Sequence, residues 1–219
     1  MTKIAVLGAN GKAARRIVAE AARRGHHVTA VVRDPLAYAG PTGDRIVVTA
    51  GDVTDRTTLG RTVSGVEFVV SAVSSMQAPE AYFPAVARVL VDVVPTGCRL
   101  VLVGIGTTLK LPTGVALFDS PEFPEAGRAF SLGHAAELEV LRETALDWLV
   151  VAPPPVFLTD DDAAGAGYQT ADGMLIDTDQ PFSYGDLASV IVDEIEQPQH
   201  RRMLLAVART PASQAAGSA

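Results

Sequence analysis

The sequence predicts an α/β fold: a single doubly wound, mainly parallel sheet with helices on both faces and a small C-terminal substrate-loop region. Three observations predict it. Short apolar runs of strand length alternate along the chain with stretches of helical spacing, the pattern of a parallel sheet covered on both sides. The first strand, helix and second strand close within about 30 residues, as a parallel crossover requires. With 219 residues, 48% of them hydrophobic and 20% charged, the chain has the balance of one globular domain rather than of a disordered segment. Residues 1–209 are expected to form that domain, with substrate loops at 105–130 and 153–182. Residues 210–219, small and polar, read as a weakly held tail.

Each element has its own signal. Lys3–Leu7 is an apolar run of strand length, and Gly8-Ala9-Asn10-Gly11 is a turn. Ala14, Ile17, Val18 and Ala21 follow helical spacing, while Arg15, Arg16, Arg23 and Arg24 lie off that stripe. Gly25 stands where a glycine ends a helix. Val28–Val32 is the second strand, closed by Arg33-Asp34-Pro35. Arg45–Thr49 reads as a strand, Asp55–Val63 as a short helix and Val66–Ser71 as a strand. Pro79–Val94 reads as a helix with its prolines in the opening turn, where they are tolerated. Arg99–Gly104 is an apolar strand, Ser131–Thr144 a helix and Trp148–Ala152 a strand. Ser183–Glu196 is a helix opened by Ser183-x-x-Asp186, a capping box with Asp in place of Glu, and Arg202–Ala208 is a last strand. Ile105–Phe130 and Pro153–Gly167 break the rhythm. Both follow strands, so both lie at the carboxyl edge, where open α/β sheets bind ligands.

The first crossover carries Gly8-x-x-Gly11-x-x-Ala14 between strand and helix, the Rossmann-type context for a pyrophosphate. Gly8 permits a tight turn, Gly11 a close approach and Ala14 tight helix–strand packing, so that bare amides at a helix N-terminus face the anion. Asn10 and Ala13 belong to the same turn, and Lys12 and Arg15 add charge to it. At the end of the second strand Arg33 stands where NAD-binding proteins place a ribose-binding carboxylate, and an Arg there pairs with a 2′-phosphate. This favours NADP(H) over NAD; Asp34 follows directly, and an exposed strand-end charge is the other reading of Arg33. Asp52 and Val53, after the third strand, suit an adenine amino group and ring, or a simple Asx turn. Ala72, Val73 and Ser74, after the fourth strand, are small enough to let backbone approach a cofactor, or are ordinary loop residues. Gly104 and the Pro153–Val156 segment, at the ends of the fifth and sixth strands, border the expected nicotinamide position.

Together these residues resemble the short-chain dehydrogenase/reductase superfamily, in its atypical NAD(P)H-binding branch with the NmrA-like proteins and the biliverdin-IXβ and flavin reductases. The matching pieces include Ile4-Ala5-Val6-Leu7-Gly8-Ala9-Asn10-Gly11, Val31-Val32-Arg33-Asp34-Pro35 and Gly51-Asp52-Val53-Thr54-Asp55. The strand Leu100–Gly104, His134-Ala135-Ala136-Glu137 and Ser183-Tyr184-Gly185-Asp186-Leu187-Ala188 match as well, so the likeness spans about residues 3–208. Many relatives use a Tyr-x-x-x-Lys pair as proton donor, with a nearby Ser, and this sequence has none. The resemblance puts Phe130 at the Tyr position, His134 at the Lys position and Thr108 near the Ser position. His134, on a helical stripe with Leu138, Leu141 and Ala145, is either a satisfied structural histidine or a ribose contact or proton donor.

Without a phenol, reduction of a simple ketone is impaired unless His134 or Thr108 serves, whereas hydride transfer to a flavin or quinone delocalises its charge and lets water supply the proton. The expected activity is therefore an NADPH-dependent reductase of a flat conjugated small molecule, with Leu109, Leu111, Val115, Leu117 and Phe118 shaping the acceptor pocket. An NmrA-like sensor binding a protein partner, and a non-redox isomerase, epimerase or cyclase, are the alternatives on this fold. Other classes are disfavoured. The 25 acidic and 18 basic residues give a net charge of −7, against nucleic acid, and no apolar run has membrane-spanning length. A lone Cys98 argues against a disulfide or Cys-based zinc centre and for a reducing cytoplasm, and no metal site is expected. Asp160-Asp161-Asp162 reads as a solvated loop, with a hard cation as the other reading. A monomer or homodimer is expected.

Overall fold

The computed structural model describes residues 1–163 and 167–211. The expected tail lies mostly outside the described residues. Eight strands form one sheet in the order β3-β2-β1-β4-β5-β6-β8-β7. They are β1 (Lys3–Leu7), β2 (His27–Val32), β3 (Ile46–Ala50), β4 (Phe68–Ser71), β5 (Arg99–Val103), β6 (Asp147–Ala152), β7 (Tyr168–Asp172) and β8 (Met203–Arg209). Every pairing is parallel except β7 against β8. The helices are α1 (Lys12–Arg23), α2 (Arg56–Thr62), α3 (Pro79–Val93), α4 (Glu125–Arg142) and α5 (Tyr184–Glu196).

Side chains alternate across a strand, so β1 feeds two cores. Ile4 and Val6 join the layer of α1 and α5 with Ile17, Val18, Leu187 and Ile191. Ala5 and Leu7 join the opposite layer with Leu59, Leu90, Leu138 and Leu141 from α2, α3 and α4. The start of α5 and the end of α1 follow the sequence signals: Ser183 and Asp186 form the capping box, and Gly25 follows α1 at φ +92°.

Three elements differ from expectation. Pro79 opens α3, but Pro84 lies inside it, buried, so the helix forgoes the bond its amide would have made to the Glu80 carbonyl. Helix α4 begins at Glu125, several residues inside the stretch expected to be irregular; Pro124 serves as its N-cap. Strand β7 lies in the second expected loop and is held only along β8.

The chain fills the sheet outward from β1 in one direction and from β4 in the other, so the order reverses between β1 and β4. Loops leaving two adjacent parallel strands for opposite faces open a crevice at their carboxyl ends.

Candidate functional site

A cleft of about 730 Å³ occupies that crevice. It is lined by Gly8, Asn10 and Gly11 from the first turn, Arg33 at the end of β2, Asp52 and Val53 after β3, and Ala72, Val73 and Ser74 after β4. Nine of the residues singled out in the sequence thus meet in one place. Lys12, Ala13, Gly104, Pro153, Val156, His134 and Thr108 do not line it.

The first turn is built to face an anion. Gly8 has φ +72°, and a Cβ there would meet the Ala72 carbonyl and Val73 Cγ1 at 3.1 Å. The β1 and β4 loops therefore touch through backbone. Gly11 is the N-cap of α1, extended, and its amide donates to the Gly8 carbonyl at 2.8 Å. No side chain caps α1 and no acid lies in its first turn, so the positive end of the helix dipole is left open. The Asn10 side chain braces the turn instead: Nδ2 donates to Ala37 O at 2.9 Å and Oδ1 accepts from Ala39 N at 3.0 Å.

At the ends of β2 and β3, Arg33 is exposed. Asp34 also lines the cleft, and its Oδ1 accepts from Leu36 N at 2.9 Å. Asp52 Oδ1 accepts from Thr54 N at 2.8 Å and Thr54 Oγ1 at 2.7 Å, the Asx turn, and Oδ2 has no protein partner among the described residues. The Thr54 bonds, helped by Arg33, hold the Asp52 carboxyl below its usual range. Tyr82 also lines the cleft, its phenol pushed up by burial. Sequence reasoning missed it, although its place one turn into the helix after β4 brings it to the carboxyl edge.

Toward β5 and β6 the arrangement is different. Thr108 Oγ1 donates to Ile105 O at 2.8 Å, while Thr107 Oγ1 lies 2.8 Å from Ser131 Oγ on α4. Ser131 donates to Gly127 O at 3.0 Å, which leaves Thr107 as donor to Ser131. The hydroxyl that faces α4 is therefore Thr107, one residue from the threonine the resemblance pointed to. His134 is buried; its Nδ1 lies 3.0 Å from Glu137 Oε2, itself buried. A carboxylate only accepts, so it selects the Nδ1–H tautomer. The ring stacks on Phe83 at 3.9 Å and meets Phe130 edge-on at 5.0 Å, and Nε2 has no protein partner among the described residues. The loops after β5 and β6 meet through backbone: a Cβ on Gly106 would lie 2.5 Å from Pro153 O and Pro155 N. Beyond them Val156 is half exposed and Phe157 entirely so. Of the side chains expected to shape an acceptor pocket, Leu109 and Phe118 are buried in the fold and Val115 is exposed.

The acid triplet folds back on α1. Asp160 Oδ2 lies 2.8 Å from Lys12 Nζ, and Asp162 Oδ1 lies 2.7 Å from Arg16 Nη1.

A reversed strand order, an uncapped first crossover helix and a cleft across the switch point define an α/β dinucleotide-binding protein. A family model described as NAD(P)H-binding matches residues 8–198, and the chain belongs to that family. It is 28% identical over 206 residues to the uncharacterised protein YwnB of Bacillus subtilis strain 168, spanning 91% of this chain and 94% of that one. A solved structure of SP1627 from Streptococcus pneumoniae TIGR4, a candidate NADH-flavin reductase, is 27% identical with TM-score 0.81, covering 96% of this chain and 100% of that one. A candidate exported protein of Burkholderia pseudomallei is 33% identical with TM-score 0.80, covering 95% and 100%. Among the described residues no helix is long and apolar enough to cross a membrane.

Proposed function

We propose that this chain is an NADPH-dependent reductase that delivers hydride to a flat conjugated acceptor such as a flavin or quinone. The observation that carries the reading is the pairing of an open α1 N-terminus with Arg33 at the end of β2, while Asp34, the carboxylate that competes for the ribose, has its Oδ1 engaged as a cap. Gly8, Gly11 and the amides opening α1, including that of Ala13, hold the diphosphate; Arg33 pairs with the 2′-phosphate; Asp52 Oδ2 accepts from the adenine amino group over Val53. Gly104, Pro153 and Val156 border the nicotinamide, which when bound supplies the hydride. A flavin acceptor fits the candidate assignment of the Streptococcus relative, whereas the 2′-phosphate preference rests on Arg33 alone. A cytoplasmic location fits a single cysteine that is buried, its thiol pushed up to about 11 by burial and so poorly reactive.

Calorimetric titration with NADPH and NADH, followed by turnover against a panel of flavins and quinones, tests the reading. Binding with NADPH oxidation supports it. Tight binding without turnover on any acceptor identifies a sensor instead. Arg33→Ala should weaken NADPH about 10–100-fold and leave NADH within about twofold, because the main loss is a charge-assisted phosphate pair that NADH does not make. Equal loss for both cofactors would refute the 2′-phosphate role.

His134 is the candidate proton donor, through Nε2 when the ring carries a proton on both nitrogens, with Thr108 and the Thr107–Ser131 pair beside the same helix. His134→Gln keeps a polar side chain next to Glu137. It should lower kcat about tenfold or more on acceptors that need a proton, flatten the pH profile and leave NADPH affinity unchanged. A fall in melting temperature with an unaltered pH profile would make His134 structural.

A further inference from the structure

The loop after β6 runs back against the first two turns of α1, and its ion pairs have no role in the chemistry above. Thr159 is anchored beside α5, its amide donating to Phe182 O at 3.1 Å and its carbonyl accepting from Tyr184 N at 3.0 Å. Asp162 is anchored on α1 through Arg16, which also donates to the Asp160 carbonyl. Between these two anchors the Asp160 carboxylate reaches Lys12, the first residue of α1. No other acid pairs with Lys12 among the described residues. Both partners are largely exposed, at 65% and 62%, so the contact is readily exchanged.

We propose that Asp160 is an internal competitor for the diphosphate: it holds Lys12 until the cofactor binds and then yields it to the incoming phosphates. The proposal rests on the dinucleotide reading of the cleft. A diphosphate carries at least two negative charges to the carboxylate's one and also takes the open amides, so it wins the lysine. Once the lysine turns to the phosphates, the Asp160 carboxylate stands beside them as a like charge, and the affinity is set lower than the turn alone would give. The loop does not come away, because Thr159 and Asp162 keep their anchors.

Calorimetry on the full chain tests this, with NADPH and inorganic pyrophosphate as probes. Asp160→Asn should bind both about 3–10-fold more tightly than wild type, with the gain shrinking as salt rises. Asp161→Asn removes the same charge from an exposed neighbour that makes no ion pair with α1, and should stay within about twofold. Unchanged or weaker binding by Asp160→Asn, in a protein that still binds NADPH, overturns the competitor and leaves the cofactor site standing. An equal gain in Asp161→Asn also overturns it, since the effect is then a general field. Failure of the folded wild type to bind NADPH or NADH overturns the cofactor site itself and the competitor with it.

Discussion

Gly11→Val should abolish cofactor binding in a protein that remains folded. Gly11 sits at φ −70° and ψ 157°, extended backbone open to any residue, so the conformation itself does not require glycine. What requires it is the space above the first turn of α1. A Cβ there lies 3.3 Å from the Gly8 carbonyl, and the two methyls of valine project from it where a diphosphate must meet the amides. Loss of most amide–phosphate contacts should reduce NADPH affinity by about 100-fold or more, while stability falls by only about 1 kcal/mol. Gly8→Val differs in kind. It forces a β-branched residue to φ +72° and drives its Cβ against Ala72 and Val73, so both folding and binding should fail. Calorimetry together with thermal melting separates the two. A Gly11→Val protein with wild-type affinity would show that no anion sits on this turn.

These contrasts also show which features could be read before any coordinates. The first crossover was legible because its signals are local: an apolar run, two glycines, a helical stripe and a closing Gly25 within a few turns of chain. The capping box of α5 was legible for the same reason. The start of α4 was not, since Glu125–Phe130 carries little apolar periodicity and its placement depends on packing. Gly133 shows this: a Cβ there would lie 2.4 Å from Pro79 O on α3. Strand β7 escaped because it is an edge strand, half exposed and mixed in polarity, defined by β8 alone. At the site, the residues lining the cleft follow strand ends and were found from position, whereas the choice between Thr107 and Thr108 turns on a single 3-10 turn, Gly106–Thr108. A one-residue offset there decides which hydroxyl faces α4, and no spacing rule sets it. The ion pairs of Lys12 and Arg16 with the acid triplet join residues more than 140 positions apart and have no sequence signature.

Arg99→Ala should be the most destabilising of the substitutions considered that leave the cleft untouched. Arg99 opens β5 at the amino end of the sheet, buried, and Glu194 near the end of α5 is buried against it. The guanidinium donates to the Glu194 carbonyl at 3.1 Å, to its Oε2 at 3.2 Å and to the His200 carbonyl. Glu194 in turn meets His200 Nδ1 at 2.5 Å and accepts from the amides of Gln199 and His200. Helix α5 has no base in its last turn but carries Glu194 and Glu196 at the negative end of its dipole, so the cations must come from elsewhere. Arg24 serves Glu196, which His26 Nε2 also meets at 3.1 Å, and Arg99 serves Glu194. Removing Arg99 leaves a buried carboxylate without its guanidinium, which costs about 3–5 kcal/mol and should lower Tm by roughly 10 °C in a chain of this size. The double variant Arg99→Met with Glu194→Leu removes both charges and should recover most of that loss, although His200 then forfeits its partner. NADPH affinity should not change in either, because the pair lies at the amino edge of the sheet, opposite the carboxyl edge that holds the cleft. Denaturant unfolding and calorimetry on the same samples give both numbers. An Arg99→Ala protein as stable as wild type would mean that Glu194 is held by His200 and the two amides alone, and that the guanidinium contributes no net stability.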